Sequence, residues 1–176
     1  MGELAAKIGG LWSRLLGRPS AVGQKAKVSH MPGGDQIVWG VTGQDMDDAI
    51  RAAKETLPVF WSWHETRPSD PDSCALKVKF PAQGGGSEHI WFIDILRTGN
   101  LVTGMVASEP ERVPGLTLWQ PTVIDVDQIT DWTFRKDGLY DGHFTTRVLA
   151  AAHPEVAARG RPTLSETPLP ADLVRH

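Results

Sequence analysis

From Cys74 onward the apolar residues recur mainly at every second position. That change of period limits the chain to folds built on a half-covered sheet. In CALKVKF (74–80), Cys74, Leu76, Val78 and Phe80 share one face, and Lys77 and Lys79 share the other. HIWFIDIL (89–96), a turn at 97–100 and LVTGMVAS (101–108) read as an antiparallel hairpin. TVIDV (122–126) follows, with Pro121 as a breaker before it and residues 116–119 as a short strand or turn. DWTFRKDGLYDGHFTTRVL (131–149) reads as two strands around Asp137-Gly138, the strongest local turn signal in the chain. A second Asp-Gly pair at 141–142 suggests a bulge or wide turn.

The first half of the chain has a helical period instead. Met46, Ala49, Ile50, Ala53 and Leu57 fall on one face of a helix that Thr42 or Asp45 can cap, and Pro58 ends it or opens a second short one. QIVWGV (36–41) has the make-up of a short strand. Leu4, Ile8, Leu11, Trp12, Leu15 and Leu16 mark residues 1–18 as an amphipathic helical extension carrying Lys7, Arg14 and Arg18. Residues 19–35 read as a linker, 36–150 as the folded domain, and 151–176 as a Pro-rich tail. The fold class expected is α+β: a mostly antiparallel, curved or partly closed sheet of five to six strands, packed against one or two helices.

Composition narrows the function classes. With 18 basic and 21 acidic residues the formal net charge is −3, so no long-range field draws in a phosphate backbone, and nucleic-acid binding is not expected. Cys74 is the sole cysteine and reads as a buried thiol. No apolar run is long enough for a membrane span and no signal-peptide pattern is evident, so a cytoplasmic location is the expectation. Membrane-surface contact or self-association, including a homo-oligomer, remains open for residues 1–18. Seven Trp in 176 residues imply an aromatic core and rim, or a groove lined by two or three of them.

Catalytic signatures are missing: the sequence has no GxSxG elbow, P-loop, HExxH or dinucleotide-binding glycine pattern. No metal or cofactor is implied. His89 and His143 can meet only through the fold, where Glu88, Asp94 or Asp141 could complete an acid–base or metal site. Strand parity places His89, Trp91, Ile93 and Ile95 on one face and Ile90, Phe92, Asp94 and Leu96 on the other. An Asp among apolar neighbours needs solvent or a partner. The same parity groups His143, Thr145 and Arg147. It suggests an ion pair of Arg147 with Asp94 or Asp131, or a small anionic or peptide ligand held by Arg147 and Thr145. Asp131 is placed to accept backbone N–H groups at a turn, and Trp132 to cover the sheet edge or the core.

The segments AIRAAKETLPVFW (49–61), ALKVKFP (75–81), EHIWFIDI (88–95), SEPERV (108–113), VDQITDWTF (126–134) and DGLYDGHFTTRVL (137–149) together resemble the DUF2314, or YegJ-like, family of small bacterial proteins of unknown function. The resemblance covers about 100 residues. It implies a functional surface drawn from Glu88, His89, Trp91, Asp94, Glu109, Asp131, Trp132, Gly142, Thr145 and Arg147. Ser108, Thr133 and Phe144 stand where relatives commonly have Asn, Met and Tyr, which argues against a site needing an amide at 108 or a phenol at 144. The family brings no established catalyst, cofactor or substrate. The leading expectation is therefore a non-enzymatic binding or regulatory domain for a protein or small-molecule ligand. A hydrolase-like enzyme using His89 with Asp94 or Asp131 is the alternative.

Overall fold

In the computed structural model, residues 43–66, 74–152 and 163–169 are described. The expected N-terminal helix, the linker and the 36–41 strand lie outside these residues. Helices α1 (Gly43–Glu55) and α2 (Leu57–Thr66) come first, with Pro58 in the opening turn of α2, where its missing N–H has no helical partner to lose. Six strands follow: β1 (Cys74–Pro81), β2 (Ser87–Thr98), β3 (Leu101–Val106), β4 (Pro121–Ile124), β5 (Ile129–Lys136) and β6 (Leu139–Gly142). Helix α3 (Phe144–Ala152) is the last regular element described.

The strands form one sheet in the order β4-β3-β2-β1-β5-β6, with every neighbouring pair antiparallel. The α+β expectation holds, with an open sheet and three α-helices among the described residues. Asp137 and Gly138 both have positive φ (51° and 83°), the geometry of a tight hairpin turn, and Lys136 pairs with Leu139 across it.

One face of the sheet packs on α1 and α2. Leu76, Val78, Ile90, Phe92, Val102, Trp132 and Phe134 are buried there with Ala53, Phe60 and Trp63. Trp132 is wholly inaccessible; its indole N–H donates to the Ala53 carbonyl at 2.9 Å, at the C-terminal end of α1. Trp63 stacks on Phe134 with centroids 4.5 Å apart. Trp132 is therefore a core residue that locks α1 to β5, and buries its one polar atom satisfied.

Two expectations from parity fail, each for a local reason. Strand β2 does not alternate through Asp94. Asp94 has φ 50°, and Asp94 and Ile95 together oppose the single residue Gly104 of β3, a β-bulge. The bulge turns Ile95 onto the helix-covered face with Phe92, and sends Leu96 to the other face, opposite Thr103. Gly104 makes room: a Cβ there would lie 2.8 Å from the Ile95 methyl and 3.0 Å from that of Ile124.

Residues 144–149 are not a strand but the start of α3. Gly142 and His143 take φ of 73° and 55° and turn the chain out of β6. Local propensity in Phe-Thr-Thr-Arg-Val favours a strand, and tertiary contacts override it.

Candidate functional site

The sheet face turned away from α1 and α2 carries most of the polar residues singled out in the sequence. Register sets Trp91 opposite Lys77 and Lys77 opposite Asp131, so three strands contribute one row of side chains. In the next row His89 lies opposite Lys79. Ala75, Trp91, Ile93 and Ala107 form a small second core on this face, with Met105 and Trp119 packed against it.

Asp131 is fully buried, and every one of its bonds is structural. It accepts from the backbone N–H of Trp132 (2.9 Å), Phe144 (3.0 Å) and Thr145 (2.9 Å), and from the Thr145 hydroxyl (2.5 Å). The expectation of backbone N–H acceptance is met in an unusual way, because a strand carboxylate thirteen residues upstream caps the first turn of α3. Burial pushes its carboxyl above the ordinary range, opposed by Lys77 and by the hydrogen bonds from Thr145 and Trp132. Lys77 donates from Nζ to the same Thr145 hydroxyl at 3.0 Å and lies 5.3 Å from the Trp91 ring centroid.

The His89 ring is anchored across β1 to β5. Its Nδ1 is 2.9 Å from the Thr130 hydroxyl, which itself donates to the Lys77 carbonyl at 3.3 Å. Burial, with Lys77 and Lys79 nearby, lowers the His89 pKa to about 4. The ring is thus neutral near pH 7. Its partner is a threonine, not the carboxylate that a His–Asp hydrolase requires.

The other expected residues divide. Glu88 accepts from the backbone N–H groups of Glu111 and Arg112 at 2.8 and 2.7 Å, pinning the loop after β3. Glu109 is exposed in that loop. Asp94 is the exposed bulge residue, five positions along β2 from His89. Trp132 belongs to the opposite face.

Arg147 makes neither of the expected ion pairs. Its Nε donates to the Gly142 carbonyl at 2.8 Å, and its Nη1 to the Ser165 carbonyl at 2.7 Å. Burial lowers its pKa from the usual value, and the nearby Asp141 and Asp131 oppose this. His143 sits against Trp91 and Tyr140, at centroid distances of 5.1 and 6.0 Å. Among the described residues no group of three His, Cys, Asp or Glu can hold a metal ion. No described helix is long and apolar enough to cross a membrane.

Sequence reasoning missed Lys77, Lys79 and Thr130 as neighbours of His89. The alternation of β1 places the two lysines together, but only the pairing of β1 with β2 and β5 brings them to His89 and Trp91. It also missed an apolar strip on the same face. Leu96 (69% exposed), Leu101 and Val123 project from β2, β3 and β4, with Leu96 opposite Thr103 and Thr103 opposite Val123.

Sequence comparison sets this geometry among relatives. Over 125 residues the chain is 29% identical to a protein of Neisseria meningitidis serogroup B named "Putative ankyrin repeat protein". That match takes in 66% of this chain and 49% of the relative, so the chain spans about half of that protein's length. Over 123 residues it is 27% identical to "Uncharacterized protein YegJ" of Escherichia coli K12, covering 69% of this chain and 78% of the relative. No solved structure matches. The model of a family described as "Uncharacterized protein conserved in bacteria (DUF2314)" matches residues 43–156. From the first turn of α1 to beyond the end of α3, and over well more than half its length, the chain belongs to the DUF2314 family.

Proposed function

We propose that this domain is a non-enzymatic binding or regulatory module whose contact surface is the sheet face opposite α1 and α2. The observation that carries the reading is the split character of that face. Lys77, Lys79 and the neutral His89 stand at one end of β2, and the exposed Leu96, Leu101 and Val123 at the other. From His89 to Leu96 is seven strand steps, roughly 23 Å at about 3.3 Å per residue. A partner segment of about that length with carboxylates at one end and apolar side chains at the other matches both ends. The hydrolase reading is weaker, because both Asp131 oxygens serve α3 and β5 and the His89 ring is bonded to Thr130.

The test is a heteronuclear NMR titration with a peptide of three glutamates followed by three leucines. Amide shifts are expected to cluster in residues 77–79, 89–96 and 101–103, and Lys79→Glu is expected to weaken binding about tenfold at unchanged melting temperature. Shifts confined to α1 and α2, or none at millimolar peptide, would sink the reading. So would ester hydrolysis by the purified chain that His89→Gln abolishes.

A further inference from the structure

The β6 edge of the sheet is covered by a piece of the chain itself. Residues 163–169 run alongside β6, with Leu164 bridged in parallel to Tyr140. The Tyr140 N–H donates to the Thr163 carbonyl and the Ser165 N–H to the Tyr140 carbonyl, both at 3.0 Å; the Gly142 N–H donates to the Pro168 carbonyl at 2.8 Å. Arg147 closes the arrangement from α3. Besides the Ser165 carbonyl, its guanidinium reaches the Ser165 hydroxyl at 3.0 Å and the Thr167 carbonyl at 3.4 Å.

Three features separate this segment from the body. None of its seven residues is buried, although Leu169 packs on the rim of the core. Its bonds to β6 are main-chain to main-chain apart from the Ser165 hydroxyl, which donates to the Tyr140 carbonyl at 3.1 Å, and Arg147 meets backbone carbonyls and that same hydroxyl, so the contacts ask little of the side chains besides Ser165. It also lies outside residues 43–156, the stretch the family model matches. Main-chain pairing at a sheet edge is the interaction by which extended peptides are recognised, with a few side-chain contacts supplying selectivity.

From these observations we infer that the β6 edge together with Arg147 is a peptide-binding site for an extended partner segment, and that residues 163–169 occupy it as a built-in competitor. The partner chemistry follows from the occupant. It is an extended stretch with a small hydroxyl residue at the guanidinium, an exposed acidic residue next to it and a proline three positions after the hydroxyl, as Ser165, Glu166 and Pro168 stand here. Because the competitor is tethered, it holds the site at high effective concentration, and a partner engages only when that segment lifts away. This site is separate from the binding face proposed above, and neither depends on the other.

The experiment uses the full chain and a labelled peptide reproducing residues 161–171. Ser165→Pro removes the N–H that bonds Tyr140 and releases the tethered copy, so this variant is expected to bind the peptide at least tenfold more tightly than the unaltered chain. Adding Arg147→Ala to that variant is expected to cost at least tenfold in affinity. Equal affinity for Ser165→Pro and the unaltered chain, or no effect of Arg147→Ala, overturns the proposal. Hydrogen exchange on the unaltered chain decides the matter should a variant fail to fold. The Tyr140 and Gly142 amides are expected to exchange at least tenfold faster than the His143 amide, which bonds Trp132 within the body. Equal protection of all three overturns it too. A concentration-dependent dimer that protects Tyr140 makes a second copy the occupant, and the partner-peptide reading falls.

Discussion

The two faces of this sheet come from the same strands but handle polar atoms in opposite ways. Toward α1 and α2 the face is a continuous apolar layer, and its largest member, Trp132, hands its single N–H to the Ala53 carbonyl. The opposite face holds Lys77, His89, Asp131 and Thr145 beside Trp91, each tied to a neighbour by a specific hydrogen bond or ring contact. The first face is stabilised by removing apolar area from water, and is sensitive to volume. The second depends on each polar group keeping its partner, because an unsatisfied buried group costs more than a satisfied one returns. Stability and recognition are thus separated by which side of one sheet a residue projects from.

The sharpest way to break the first face is Gly142→Val. A Cβ at Gly142 runs into the carbonyl oxygen and ring of Trp132, and φ there is 73°. Overpacking and a left-handed backbone together should cost about 4 kcal/mol in urea unfolding; a loss below about 1 kcal/mol would show that Trp132 is free to move. On the second face, Asp131→Asn keeps the volume but turns an amide N–H toward a cluster of donors. About 3 kcal/mol is expected, together with loss of helical circular dichroism from α3. Unchanged helicity would mean α3 does not need its remote cap.

The His89 pKa gives the next effect. It falls from 6.5 unfolded to about 4 folded, so the unfolded chain takes up the proton first. The stability tied to neutral His89 is therefore complete above pH 6.5 and drains away as pH falls toward 4. The loss is roughly 3 kcal/mol at most, from about 1.4 kcal/mol per pH unit. His89→Asn can still hydrogen-bond Thr130 without titrating in this range, and should flatten the slope of stability between pH 6.5 and 4; an unchanged slope would place its origin elsewhere. The smallest effect belongs to the exposed strip. Leu96→Ser should shift stability by less than about 0.5 kcal/mol. A larger loss would mean that the strip is packed rather than available.

Much of the fold could be read from the chain: a mostly antiparallel sheet of five to six strands, the hairpin at Asp137-Gly138, the face carrying Cys74, Leu76 and Val78, and the helix boundary at Pro58. The failures share a cause. Asp94 sits inside an apolar run where nothing local announces a bulge, and only Gly104 on the facing strand explains how Ile95 crosses over. Phe144 to Val148 favour extended backbone, and what makes them helical is a carboxylate on another strand. Of the expected site, His89, Trp91, Asp131 and Thr145 lie on or against the polar face. Their neighbours Lys77 and Thr130 were out of reach, because strand pairing couples residues by hydrogen bonds that leave no mark on either segment alone.

The bulge at Asp94 also has a consequence for how this sheet assembles. A twelve-residue strand with unbroken alternation could slide by two positions against its neighbour and still bury an apolar set of side chains. Because β2 changes side partway along, such a slide would carry Ile95 away from Gly104 and set a larger residue against it. The bulge therefore acts as a keyed joint, with one alignment of β2 and β3 that closes, so the hairpin that begins the sheet's outer half rejects misaligned pairings as it forms.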